Sequence, residues 1–130
     1  MPFIVAIDYD GTLFLDSFPE VGNPNHKVID KAKEFKNHNA EVVLWTCREG
    51  KYLDEAIEAC KKLGLEFDSH NENSPSQKKY QIEVMEKENG ETFAISKIFA
   101  DIYVDDRAHG SIDFFLGIDV KNTCKNFDER

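Results

Sequence analysis

Short apolar runs that end in polar, chemistry-bearing residues constrain this chain more than any other feature of its sequence. Residues 3–7 (FIVAI) and 42–46 (VVLWT) are continuously apolar and rich in strand-forming side chains, and residues 98–104 (IFADIYV) resemble them. A strand that is apolar on both of its sides is typical of a parallel sheet covered on both faces. These runs therefore predict the strands of a buried sheet.

Segments with helical spacing alternate with the apolar runs. Apolar side chains recur on one helical face in residues 26–38 and again in 49–63. The stretch 74–77 (SPSQ) predicts the start of a third helix with Ser74 as its N-cap, running to about residue 87. The alternation predicts an α/β fold, a three-layer sandwich around a mainly parallel, Rossmann-like sheet.

Other segments are less regular. Residues 65–68 (LEFD) are expected to form a short further strand, and residues 112–118 (IDFFLGI) fit either a strand or a helix. Residues 12–25 contain two prolines and a glycine between the first strand and the first helix, which predicts a loop. The length of 130 residues suits a single domain, spanning 1–130, with one core.

Composition argues against several classes of function. The formal net charge of -9 argues against a nucleic-acid surface driven by bulk electrostatics and, more weakly, against an anionic membrane surface. No apolar stretch approaches the roughly 20 residues that span a bilayer, and no signal peptide precedes the first strand. The three cysteines show no C-x-x-C spacing. These features predict free thiols, a reducing compartment and a cytoplasmic location.

Carboxylates and a hydroxyl follow the predicted strands. The first run ends at Asp8 and Asp10, the second at Thr46, and the late run at Asp105 and Asp106. In parallel α/β sheets, ligands bind beyond the carboxyl ends of the strands. If these strands are neighbours, the converging carboxylates repel one another unless a cation lies between them. Mg²⁺ fits best, because it accepts carboxylate ligands and is commonly shared with a phosphate.

Each signal also has a simpler interpretation. A D-x-D pair before glycine fits a solvated turn, the acidic pair at 105–106 fits helix capping, and Thr46 fits an ordinary strand position. The three signals gain weight together, because all of them fall at the same end of predicted strands. Cys47 has no obvious histidine base nearby in the sequence and is interpreted as a small packing residue.

The motifs resemble those of the haloacid dehalogenase superfamily, which consists mostly of Mg²⁺-dependent phosphatases and phosphotransferases. D-Y-D-G-T-L at 8–13 is similar to its first motif, V-V-L-W-T at 42–46 to its second, and Y-V-D-D-R at 103–107 to its fourth. The order and spacing of these motifs agree over nearly the whole chain. A narrower resemblance is to small bacterial and phage members of the superfamily.

The resemblance implies a phosphomonoester hydrolase with two catalytic aspartates. Asp8 would attack phosphorus and form an aspartyl-phosphate. Asp10 would protonate the leaving oxygen and later activate the water that hydrolyses the intermediate. Tyr9, which lies between them, should point the other way because side chains alternate along an extended segment.

The resemblance also implies a set of phosphate-binding groups. These are Gly11, Thr46, Cys47 and Lys97. The glycine would let the backbone turn so that nearby N–H groups face the phosphoryl oxygens, and Thr46 would donate a hydrogen bond with the Cys47 N–H as a second donor. The family's lysine fits two positions. We favour Lys97, eight residues before the late acidic pair, over Lys78 or Lys79 at the start of the third helix.

Mg²⁺ is the cofactor that the resemblance implies. Its ligands would be one oxygen of Asp8, the backbone carbonyl of Asp10 and the carboxylate of Asp106. Asp105 would act through a water molecule or orient the lysine. Metal, lysine and N–H donors together would offset the charge on the phosphoryl group.

No cap domain is expected, because the loop after the first motif is too short to fold by itself. The site is then open, with residues 14–25 as a flap and Phe18 as a candidate substrate contact. The expected partner is a phosphorylated small molecule or an exposed phosphate on a larger substrate, including a nucleic-acid end. Alternatively, a neighbouring subunit completes the open site. Two alternatives remain: a phospho-accepting receiver module and a non-catalytic phosphate-binding protein.

Overall fold

The structure is a computed structural model that describes residues 1–89 and 97–128. Its strands are β1 (Ile4–Ile7), β2 (Glu41–Leu44), β3 (Ser69–His70) and β4 (Ile102–Val104). Its helices are α1 (His26–Asn37), α2 (Gly50–Lys62), α3 (Pro75–Asn89), α4 (Ser111–Leu116) and α5 (Val120–Asp128). The alternation of strands and helices predicted from the sequence is confirmed.

The strands form one parallel sheet in the order β3-β2-β1-β4. Ile7 of β1 pairs with Leu44 of β2 on one side and with Val104 of β4 on the other. The carboxyl ends of the three strands are therefore level with one another. The residues that follow them emerge at one edge of the sheet, as the sequence pattern predicts.

Both faces of the sheet are covered, which explains why β1 and β2 are apolar without interruption. Val5 and Ile7 face a large core that includes buried residues of α1, α2, α4 and α5. Ile4 and Ala6 face a smaller cluster on the other side, which includes Ile98. Burying one such side chain stabilises the fold by about 1.5–3 kcal/mol. This arrangement agrees with the expected three-layer sandwich.

The third strand lies further along the chain than residues 65–68, where it was expected. The Asp68 N–H donates to the carbonyl of Val42, and the Asp68 carboxylate accepts the Val42 N–H and the Lys36 ammonium. The Asp68 carboxylate thus takes the place of a backbone carbonyl as the partner of the Val42 N–H. Regular pairing between β2 and β3 begins only at Ser69.

The late segments also differ from expectation. The strand predicted over 98–104 is shorter, because the Tyr103 hydroxyl engages the backbone of Ile98 and Ala100 before regular pairing starts. Residues 112–118, left open between strand and helix, belong mainly to α4. The third helix is confirmed, with Ser74 accepting the Gln77 N–H at 3.3 Å.

Within the described residues, the connections leave no room for a separate cap. The chain between β1 and α1 forms a compact flap, in which the Leu15 N–H donates to Asn23 and the Asn25 N–H donates to Leu13. No helix in the described ranges is long and apolar enough to cross a membrane.

Candidate active site

A cleft of about 410 Å³ opens at the carboxyl edge of β1, β2 and β4. Residues that follow these three strands, together with the flap, line it: Asp8, Asp10, Asp16, Phe18, Thr46, Cys47, Arg48, Asp105, Asp106 and Arg107. The parallel register therefore brings together residues from distant parts of the sequence. The three separate motif segments meet in one place.

Three carboxylates form a tight cluster in this cleft. One oxygen from each of Asp8, Asp105 and Asp106 lies within 4.8 Å of the others. Burial and the negative charge of Asp105 raise the pKa of Asp8 from its ordinary 3.8 to about 7. Burial and a hydrogen bond with Asp105 also raise the pKa of Asp106. The cluster therefore resists being fully ionised.

The turn after β1 brings the backbone close to this cluster. Gly11 has φ +83°, and a Cβ at this position would lie 2.7 Å from the Cγ of Asp106. The buried Thr12 hydroxyl accepts the Asp106 N–H at 3.0 Å and joins the two loops. The Gly11 N–H itself donates to the carbonyl of Phe14 at 2.8 Å. Gly11 thus shapes the site through its lack of a side chain rather than through a free N–H donor.

Asp10 is held by Arg48. The Arg48 Nε donates to one carboxylate oxygen at 2.9 Å, and its Nη2 donates to the other at 2.8 Å. Only 1% of the Arg48 side chain is exposed, against 22% for Asp10. The positive group beside the paired aspartates is therefore an arginine from the loop after β2. From the sequence alone, an arginine directly after the second motif could either pair with a nearby acid or reach a substrate phosphate, and the structure shows the pair with an acid.

Tyr9 points away from the cleft, as the alternation of side chains predicts. Its ring is fully buried and stacks on Phe14 at a centroid distance of 4.9 Å. Its hydroxyl donates to the carbonyl of Val21 at 2.8 Å, which anchors the flap from below.

Thr46 lies in the cleft at the end of β2. Its N–H donates to the side-chain oxygen of Asn71 at 2.7 Å, and its hydroxyl oxygen accepts the Arg48 N–H at 3.2 Å. The hydroxyl hydrogen remains free to bond an anion, because the described residues offer it no acceptor. Cys47 was expected to be a small packing residue. It is instead exposed and lines the cleft.

The structure does not bring Lys97 into the cleft. It lies on the chain before the amino end of β4, whereas the acidic pair follows the carboxyl end, and its ammonium lies 5.6 Å from the ring centroid of Phe99. Asn73 fixes this segment by bonding the backbone of residues 97 and 99. Lys78 instead pairs with Glu72 at 2.8 Å. Among the described residues that line the cleft, the cations are Arg48 and Arg107.

The donor set of the cluster suits a divalent cation. Asp8, Asp105 and Asp106 supply hard oxygen ligands, which Mg²⁺ prefers over other ligand types. Within the described ranges, none of the three forms a salt bridge that would neutralise it. A cation held there would offset the charge repulsion that, after burial, raises the pKa values of Asp8 and Asp106.

Two residues to which the sequence assigns no definite role organise this site. Arg48 orients Asp10, and Asn71 orients the end of β2. Asn71 adopts φ +52° and donates its own N–H to Leu44 while it accepts from Thr46. The available signal was an asparagine directly after a short strand, since asparagine tolerates the left-handed region better than most residues.

Comparison with known proteins supports the fold. No protein-family model and no curated protein matches the chain. A similar solved structure is that of a conserved protein from Bacteroides thetaiotaomicron, with a TM-score of 0.67 and 29% sequence identity. The match covers 99% of this chain and 92% of that one. The protein is thus an α/β protein whose parallel sheet carries an acidic cleft at its carboxyl edge.

Proposed function

We propose that the protein is a Mg²⁺-dependent phosphomonoester hydrolase of the haloacid dehalogenase type. The observation that carries this proposal is the meeting of Asp8, Asp105 and Asp106 within 4.8 Å at the carboxyl edge of the sheet, with Thr46 in the same cleft. A carboxylate cluster beside a hydroxyl donor suits a phosphate that is bound together with a cation.

Asp8 is the proposed nucleophile. It directly follows β1, lines the cleft and is partly exposed. Its carboxylate oxygen attacks phosphorus, the bond from phosphorus to the leaving oxygen breaks, and an aspartyl-phosphate forms. Without a cation, burial and the charge of Asp105 raise the pKa of Asp8 to about 7. A cation bound beside it would favour the ionised carboxylate, which is the form that attacks phosphorus.

Asp10 is the proposed acid and base. In the first step it gives a proton to the leaving oxygen. In the second step it takes a proton from the water that attacks phosphorus, the bond to Asp8 breaks and inorganic phosphate leaves. Its position two residues after Asp8, in the same cleft, supports this assignment. The pair with Arg48 fixes the direction of its carboxyl group.

The remaining groups bind the phosphoryl oxygens and the metal. Thr46 donates its hydroxyl, and the N–H of Cys47 is a second donor. Asp8 and Asp106 would hold a Mg²⁺, with Asp105 beside them or acting through water, and the metal would supply positive charge that offsets the charge of the phosphoryl group. Phe18 of the flap lies at the rim, where it contacts the group that carries the phosphate.

Hydrolysis of an aryl phosphate, with and without Mg²⁺, tests this function. Asp8→Asn and Asp10→Asn each lower turnover by roughly 10²-fold or more if they act as nucleophile and acid/base. Asp54→Asn is the matched control, since Asp54 is an exposed acid on α2 outside this cleft. Activity that survives both cleft substitutions would end the proposal. A long-lived phosphorylated Asp8 without turnover would favour a receiver module instead.

A further inference from the structure

Arg48 makes contacts that serve more than one part of the cleft. The guanidinium of an arginine carries five N–H donors. In Arg48 they meet both oxygens of Asp10, the carbonyls of Pro19 and Glu20 in the flap, and the carbonyl of Tyr52 in α2. All of its donors therefore face acceptors within the protein, and none is left for a substrate.

Aromatic rings add to this arrangement. The guanidinium carbon lies 4.7 Å from the ring centroid of Tyr9, which is buried in the core, and 5.1 Å from that of Phe18, which belongs to the flap. Phe18 in turn contacts the ring of Tyr52 at 5.6 Å. The side chain of Arg48 is thus in contact with the core and with the flap, and only 1% of it is exposed.

We propose that Arg48 is a positioning residue that couples the flap to Asp10, so that the placement of one depends on the placement of the other. If Asp10 turned away, a buried guanidinium would lose the only carboxylate that the described residues give it, which is unfavourable. If the flap moved away, the same guanidinium would lose two carbonyl acceptors. Arg48 therefore favours a single arrangement in which the flap is closed down and Asp10 is oriented.

Hydrogen exchange of the flap tests the coupling without any assay of activity. Asp10→Asn changes no flap residue, yet it weakens the pair with Arg48. We expect roughly tenfold faster exchange at the N–H groups of Leu15 and Glu20, which are bonded within the flap, because loss of a charged hydrogen bond has about this effect. The N–H of Trp45, bonded to Ile7 in the sheet, should not change.

Arg48→Lys is the second variant, because it keeps the charge but loses the forked geometry. It should accelerate flap exchange as Asp10→Asn does. Lys51→Met is the matched control, since Lys51 is an exposed cation of α2 whose ammonium lies 5.1 Å from the Tyr52 ring centroid. Flap exchange that is unchanged in Asp10→Asn would overturn the coupling, even if Arg48→Lys fails to fold.

A second readout separates positioning from simple support of the fold, and it rests on the proposed function. If Arg48 orients Asp10 as the acid, Arg48→Lys lowers kcat for an alkyl phosphate, whose alkoxide is a poor leaving group, by roughly 10²-fold. The loss for an aryl phosphate should be at least tenfold smaller, since that leaving group needs little protonation. Equal losses on both substrates would refute the orienting role. If the wild-type protein hydrolyses neither, the proposed function fails while the exchange result still decides the coupling.

Discussion

Gly11 faces the carboxyl group of Asp106 so closely that a Cβ on this glycine would lie 2.7 Å from the Asp106 Cγ. A side chain at position 11 would therefore displace the carboxyl group of Asp106 from its place in the cluster. This packing places Asp106 beside Asp8, although nearly 100 residues separate them in the chain. The glycine of the first motif is thus a steric requirement for the acidic cluster.

Replacing Gly11 with alanine should therefore disturb the cluster as well as the backbone. A non-glycine residue at φ +83° is strained by about 1–2 kcal/mol, and the clash with Asp106 adds to this loss. Gly110→Ala is the matched control, because Gly110 has φ +75° but a Cβ there would meet nothing within 4 Å. Urea unfolding should show a larger loss for Gly11→Ala than for Gly110→Ala. Equal losses would mean that the contact with Asp106 is unimportant.

The raised pKa of Asp8 predicts how stability depends on pH in the metal-free protein. Between its ordinary value of 3.8 and about 7, the folded protein holds a proton on Asp8 that the unfolded chain has released. The free energy of unfolding contributed by this group therefore falls as pH rises through this range and levels off above about 7. Asp8→Asn removes the dependence, since asparagine does not titrate.

Chemical unfolding of both proteins at several pH values between about 4 and 7 measures this effect. The stability of the wild type relative to Asp8→Asn should decline steadily as pH rises. A difference that stays constant across the range would show that Asp8 titrates normally in the folded protein. Added Mg²⁺ should reverse the trend, because it binds only the deprotonated carboxylates.

Mg²⁺ should stabilise the folded protein through the same cluster. At about 100 times its Kd, a cation that binds only the folded state raises the free energy of unfolding by about 2.7 kcal/mol. Asp106→Asn should weaken binding by roughly tenfold or more and reduce this stabilisation at the same Mg²⁺ concentration. Asp54→Asn, an exposed acid outside the cleft, should respond like the wild type. An undiminished response in Asp106→Asn would exclude it as a ligand.

The edge of the sheet that carries the site could be predicted because parallel strands end in polar residues at one side. Asp8, Thr46 and Asp105 each follow an apolar run, and this local pattern needs no knowledge of packing. Thr46 and the acidic residues were found in this way. The orientation of Tyr9 followed from the alternation of side chains alone.

The role of Arg48 could not be predicted from the same patterns. Its partners include Asp10, 38 residues away, and backbone carbonyls of the flap, 28 and 29 residues away. Every residue has a backbone carbonyl, so the sequence does not indicate which carbonyls an arginine binds. The apolar segment of α4 was ambiguous for a different reason. It contains too few residues for a helical period to be distinguished from a strand period.

Arg107 and Lys97 are the two candidates for the cation that binds the phosphate, and substitutions at the two positions distinguish them. Arg107 is exposed, lines the cleft and forms no side-chain ion pair among the described residues, whereas Arg48 has no donor to spare and Lys97 lies over Phe99. Arg107→Met should therefore weaken the binding of inorganic phosphate, measured by calorimetry with Mg²⁺ present, by roughly tenfold, as expected for loss of a charged hydrogen bond. Lys97→Met should bind phosphate like the wild type. The reverse result would assign the phosphate to Lys97 and require that segment to move into the cleft.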